Sequence, residues 1–275
     1  MTAHHQVRRL CICADDYGMS EGINAAVLEL AERGRISATS CMVLRSDWAA
    51  GAQRLRTLSP LLLDAGLHLD LTPGPGRDGA DSSLARLIAA CYLRIVDRAW
   101  LHDQVRTQLS MFEDAMGRAP AFVDGHRHVH QLPIVREMLV QELSERYGSR
   151  PPWLRSTSTG HALPRARKED LIFALGGRAL QRLAHQQAIP TSGRLLGVYA
   201  FDEAVPYATL LERWTTACAD RDVLMCHPSL NRIPSDSIAE ARCREYRALI
   251  AFDVGQDAGV DRPVKVLPLS PTLMH

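Results

Sequence analysis

The chain is poor in aromatics, which make up 5% of its 275 residues, so a stacking platform for single-stranded nucleic acid is not expected. It has no excess of either charge: 32 basic and 31 acidic residues are interleaved, for a formal net charge of +1. That distribution offers neither a nucleic-acid footprint nor a polybasic membrane patch. No run approaches the ~18 apolar residues of a membrane-spanning helix. Met1 to Arg9 lacks the apolar stretch that marks a secretion signal. The seven cysteines are scattered, odd in number and without a Cys-x-x-Cys pair, which reads as buried free thiols in a reducing compartment. Repeats and low-complexity segments are absent. These absences together describe a soluble cytoplasmic protein with no nucleic-acid partner and no membrane insertion.

What is present is enough apolar residue, 46%, for a full core, and a steady alternation of strand and helix patterns. Strands are predicted at Val7–Ala14, Ile36–Leu44, Gly66–Thr72, Ala121–Asp124, Trp153–Ser156, Leu195–Ala200, Asp222–Cys226 and Val264–Leu267. Helical spacing predicts Glu21–Arg33, capped by Ser20, then Asp47–Thr57 and Ser82–Gly117, broken near Asp97. Further helices are predicted at Pro133–Tyr147, Lys168–Gln187, Tyr207–Ala219 and Ile238–Phe252. The stretch from Thr72 to Ala80, rich in Pro and Gly, is a loop. With no composition break, the expectation is one α/β domain over 1–275: a (β/α) barrel, distorted, of seven or eight mostly parallel strands.

Four predicted strand ends carry polar, metal-competent side chains: Asp15 and Asp16; His68 and Asp70; Asp124 with His126, His128 and His130; and His227. Parallel strands would gather these ends. An extended chain turns His126, His128 and His130 to one side, whereas a helical one aligns His126 with His130. Alternation turns Cys226 away. Each residue also has a bland reading, as a turn, core or loop residue. A carboxylate and two histidines suit Zn²⁺, and also Fe, Mn or Co. Such an ion acidifies its water and polarises a carbonyl. Of two adjacent aspartates, one can sit on the metal while the other takes the water's proton. A histidine opposite can protonate a leaving amine. Metal-assisted hydrolysis of an amide or ester fits these parts. A phosphoesterase or sugar isomerase would share the barrel, but phosphate chemistry calls for a basic or Gly-rich cradle, and only scattered arginines are seen. A non-catalytic sugar-binding protein would be expected to lose Asp15 or a ligand.

Ala14-Asp15-Asp16-Tyr17-Gly18-Met19-Ser20, Gly66-Leu67-His68-Leu69 with Leu71-Thr72, Asp124-Gly125-His126-Arg127-His128-Val129-His130 and Cys226-His227-Pro228 resemble, in order, the motifs of the YdjC-like family of carbohydrate deacetylases. That family includes chito-oligosaccharide and hopanoid-associated members. The resemblance spans roughly residues 8–250 and departs from the family at Cys13, Gly125 and Arg127. It implies a barrel related to the polysaccharide deacetylases and one divalent ion, Mg²⁺ or Zn²⁺, on Asp16, His68 and His126. It further implies Asp15 as general base, His227 as acid or proton shuttle, and release of acetate from an N-acetylated amino sugar. Tyr17, Asp70, His128, His130 and Arg155 are the candidates for contacting that sugar. Arg155, at a predicted strand end, either orients Asp15 or is a surface arginine. The loop after Thr72 carries few aromatics for sugar subsites. A barrel of this size often self-associates, so a homo-oligomer is an open expectation.

Overall fold

The computed structural model describes residues 7–72, 80–159, 172–234, 236–254 and 263–273. The loop expected after Thr72 and the start of the helix expected at Lys168 lie largely outside these residues. Eight strands are found: β1 (Arg8–Tyr17), β2 (Ala38–Cys41), β3 (Asp64–Leu69), β4 (Phe122–Gly125), β5 (Trp153–Leu154), β6 (Leu195–Leu196), β7 (Asp222–Cys226) and β8 (Val264–Val266). They form one sheet in the order β5-β4-β3-β2-β1-β7-β6, with β8 added beside β1, and every ladder is parallel. The sheet curls until its edges meet: Leu154 bridges Thr191, and the Leu195 N–H donates to the Ser158 carbonyl at 2.7 Å. The barrel expectation therefore holds, with edge strands of only two residues where four to six were expected.

The helices are α1 (Glu21–Glu32), α2 (Trp48–Leu55), α3 (Ala80–Tyr92), α4 (Arg98–Met116), α5 (Val135–Tyr147), α6 (Arg178–Gln186), α7 (Tyr207–Ala217), α8 (Ala239–Ala251) and α9 (Ser270–Leu273). The Ser20 hydroxyl accepts from the Ile23 N–H and starts α1. Asp97 separates α3 from α4 by capping the N–H groups of Ala99 and Trp100. The expected helix through Gln187 is interrupted at Gly176, whose φ of +134° is closed to other residues.

β1 has three partners. Cys13 sits between Met225 of β7 and Ala38 of β2, and Leu10 between Asp222 of β7 and Val266 of β8. β8 and β2 thus share one edge of β1 in succession. All seven cysteines are free and buried.

Period-two alternation splits each strand between two cores. Leu10, Ile12 and Ala14, with Leu67, Leu69, Val123, Leu154, Leu224 and Cys226, face the helices and join the main core. Cys11, Cys13, Ala38, Phe122, Trp153 and Val223 form a separate inner cluster. Within it the Phe122 and Trp153 rings stack with centroids 4.4 Å apart. A Cβ on Gly66 would lie 2.5 Å from the Phe122 ring; glycine there makes room for that stack.

Gly66→Ala must displace the Phe122 ring, at a cost of about 1–3 kcal/mol. Thermal unfolding is expected to show a melting temperature several degrees lower, and an unchanged one would mean the inner floor can give way without cost.

Candidate functional site

Continuing the inward alternation by one residue beyond the inner cluster reaches a polar layer. Above Cys13 comes Asp15; above Ala38, Ser40; above Gly66, His68; above Phe122, Asp124; above Trp153, Arg155. These five side chains are 3% exposed or less. The Arg155 guanidinium lies 5.9 Å from the Phe122 ring centroid, so the polar layer rests on the aromatic floor.

Arg155 is fully buried, which excludes the surface reading. Its Nη1 and Nη2 donate to Asp15 Oδ2 and Oδ1 at 2.7 and 2.6 Å, and Nη2 also meets Asp124 Oδ2 at 2.5 Å. Planar forked pairing of this kind fixes a carboxylate's orientation as well as balancing its charge. Asp124 Oδ1 stands 2.6 Å from His68 Nδ1, with the Ser40 hydroxyl bonded to both. Burial disfavours charge on His68, but the Asp124 carboxylate outweighs it and raises the imidazole to about 10. Burial likewise opposes charge on Asp124, yet Arg155 and His68 hold it well below the usual carboxylate range.

Asp16 does not follow the alternation. Its φ is +69°, a left-handed conformation that Asp and Asn tolerate better than most residues. The turn is fixed by the Gly18 N–H, which donates to Asn24 Oδ1 at 2.6 Å, while Asn24 Nδ2 donates to the Asp47 carbonyl. That turn throws the Asp16 carboxylate across the strand ends. Oδ1 lies 3.5 Å from His68 Nε2 and 3.2 Å from His126 Nδ1, and Oδ2 accepts from Arg242 Nη2 at 2.6 Å. The ligand-type atoms of Asp16, His68 and His126 lie within 4.8 Å of one another, and so do those of Asp15, His68 and Asp124. Burial would raise Asp16, but Arg242 and the two histidines hold it well below the carboxylate range.

His126 opens a 3₁₀ turn (His126–Gln131) in which Arg127 and His128 take φ of +52° and +60°. The chain is therefore neither extended nor regularly helical. His126 reaches Asp16, whereas His130 turns inward and its Nε2 bonds the Arg155 carbonyl at 3.0 Å. His128 belongs to neither ligand group. Tyr17 is buried with its hydroxyl on the Gly51 carbonyl. Asp70 is buried with Arg45 on one oxygen and the Thr72 N–H and hydroxyl on the other. Tyr17, Asp70 and His130 are thus each bonded within the protein, Tyr17 to α2, Asp70 to Arg45 and Thr72, and His130 to the backbone of Arg155.

His227 follows β7, its side chain 13% exposed. Burial lowers its pKa to about 4, against the pull of Asp16 and Asp15. Its backbone N–H donates to Glu245, which also accepts from the Tyr199 hydroxyl at 2.6 Å. Burial pushes the Glu245 carboxyl up to about 7. Arg242 and Glu245 stand three apart on α8, so a single helix holds both Asp16 and His227. The sequence reading did not reach them; the available signal was two charged residues on the face of α8 that also buries Ala241 and Leu249.

A model of the YdjC-like protein family matches residues 9–257. A carbohydrate deacetylase from Homo sapiens is 27% identical over 316 aligned positions, covering 96% of this chain and 95% of that protein. A chitooligosaccharide deacetylase from Serratia marcescens is 34% identical over 137 positions, 45% of this chain and 51% of that one. The fold matches a crystal structure from Enterococcus faecalis V583, of a protein provisionally named for cellobiose-phosphate cleavage. The TM-score is 0.68 at 19% identity, covering 98% of this chain and 100% of that one.

Arg155→Met leaves Asp15 and Asp124 buried without their cation, a loss of about 3–5 kcal/mol. Adding Asp124→Asn is expected to recover part of the melting temperature, and no recovery would show the pairing to be incidental. For Glu245, a raised folded pKa means the native state holds a proton that the unfolded chain has released. Stability from this group therefore falls as pH rises from about 4.5 to about 7 and is flat beyond. Glu245→Gln should remove that slope, up to ~1.4 kcal/mol per pH unit, in denaturant titrations compared at pH 5 and pH 8.

Proposed function

The chain belongs to the YdjC-like family, and we propose on that footing that it is a carbohydrate deacetylase, hydrolysing the N-acetyl group of an amino sugar to acetate and a free amine. The observation that carries this reading is the convergence of Asp16, His68 and His126 beside Asp15 at the strand ends. The donor set suits one divalent cation: its two imidazoles favour Zn²⁺, while Mg²⁺ is the choice the family resemblance adds. The Asp124 carboxylate occupies His68 Nδ1 and leaves Nε2 on the Asp16 side, as an outer partner of a metal-binding histidine does. Arg242 takes Asp16 Oδ2 and leaves Oδ1 between the two imidazoles. Bound there, a divalent ion supplies Lewis acidity, making water a better nucleophile and a carbonyl a better electrophile.

The protein's own groups divide the remaining work. Asp15 takes the proton of the attacking water. Arg155 forks onto both its oxygens and the Cys13 thiol adds a contact to Oδ1 at 3.6 Å, which leaves Oδ2 a lone pair for that proton, so the base is aimed without being used up. When the C–N bond breaks, the departing nitrogen needs a proton, and His227 is the group available to deliver one. Burial keeps His227 neutral at rest, while the negative charges of Asp15 and Asp16 favour its protonated form. His227 thus suits a transient carrier rather than a standing acid.

Acetate release would be measured on N-acetylglucosamine and its short β-linked oligomers. The protein would be metal-stripped and then resupplied with Zn²⁺, Mg²⁺, Mn²⁺ or Co²⁺. Metal-dependent release is expected, with kcat in Asp15→Asn about 10²–10⁴ lower. Release that survives stripping, or is unaffected by Asp15→Asn, would reject this assignment of roles.

A further inference from the structure

An N-acetylated pyranose presents more than an amide. One face of its ring is a sheet of C–H groups, and an enzyme that holds it needs an apolar wall beside the reacting atoms. Aromatics are scarce in this chain, yet four meet on one side of His227. Tyr199 lies 4.7 Å from Phe201, 5.5 Å from Tyr207 and 6.1 Å from Trp214 by ring centroids, and Tyr207 lies 5.8 Å from Trp214. The Phe201 ring stands edge-on to the His227 ring at 5.4 Å, with an interplanar angle of 77°. Tyr207 and Trp214 are buried, whereas Tyr199 and Phe201 are half-buried. The cluster therefore has a closed base and a solvent-facing end, and Phe201 is the member in contact with His227.

Phe201 is also held in an unfavourable backbone conformation, with φ at +63°. A non-glycine residue stays there only where the surroundings enforce it, and such residues gather at ligand sites. Arg244 ties this turn down: its Nη2 donates to the Phe201 carbonyl at 2.9 Å and its Nη1 meets Glu203 at 2.8 Å. Tyr199, behind Phe201, bonds the same Glu245 carboxylate that receives the His227 N–H. Both the ring and the histidine are thus referenced to α8.

Resting on the deacetylase reading, we propose that Phe201 is the platform against which the sugar ring bearing the scissile amide packs, and so a determinant of specificity for N-acetylated pyranoses. The competing role for the ring is to shield His227 from water, which would act on turnover rather than on binding.

The two separate in one experiment. Metal-loaded Asp15→Asn protein would be titrated calorimetrically with the N-acetylglucosamine dimer, with and without Phe201→Ala, Phe201→Leu or Phe201→Trp. Phe201→Ala is expected to weaken binding about tenfold and Phe201→Trp to restore it to within about threefold, with Phe201→Leu between. With Asp15 intact, KM should rise in parallel while kcat moves less than about threefold. Arg244→Gln, which keeps the ring but frees its loop, should raise KM by a smaller factor. Melting temperatures of all variants guard against misfolding. Unchanged affinity in Phe201→Ala, or a fall in kcat at constant KM, overturns the platform. Turnover of the sugars by the unsubstituted protein with KM insensitive to Phe201 rejects this inference alone. Failure of the unsubstituted protein to bind or deacetylate any sugar rejects the functional reading with it.

Discussion

Carboxylates closed inside a sheet cannot keep their charge alone, and this requirement shapes the whole upper end of the barrel. Asp15, Asp16 and Asp124 are each 2% exposed or less. Unpaired, such groups would take up protons and lose both ligand and base character. Two buried guanidiniums prevent this. Arg155 spans Asp15 and Asp124, and Arg242 spans Asp16 and Asp236. From these pairs the rest follows: Asp124 is free to orient His68, Asp16 keeps one oxygen for His68 and His126, and Asp15 is held beside them by Arg155 on both of its oxygens.

Two neighbours in sequence thereby acquire separate duties. Asp15 and Asp16 would point to opposite sides of a regular strand. The left-handed turn at Asp16 instead brings its carboxylate over the strand ends, where a different arginine receives it. Their difference in role comes from their partners and not from any difference in chemistry.

The parts legible in the sequence are those set by local rules. The alternation through Gly66–Leu69 places His68 inward, Asp222–Cys226 sends Cys226 outward to the helices, and Asp97 caps where the helical pattern breaks. What escaped depends on distance along the chain or on unusual backbone. Arg242 meets Asp16 across 226 residues, a separation that no spacing reports, and the same long range left Arg155, 140 residues from Asp15, open between orienting that carboxylate and lying on the surface. The 3₁₀ turn after His126 rests on two left-handed residues, so neither an extended nor a helical rule could sort its histidines. Tyr17, a candidate for contacting the sugar, has its ring in the main core with its hydroxyl on α2, a placement that its position in the motif does not report.

β1 is completed only by strands that lie far along the chain. Its residues 8–14 pair with strands that begin at Asp222 and Val264, so this apolar segment has β2 as its one nearby ladder partner until those strands have been made. Closing such remote contacts is slow because a long loop must be ordered before any pairing repays it. The segment that bears both aspartates is therefore open to wrong pairing until those strands are made. Loss of β7 or β8 would therefore act on the end of the barrel that carries the cluster through the assembly of β1.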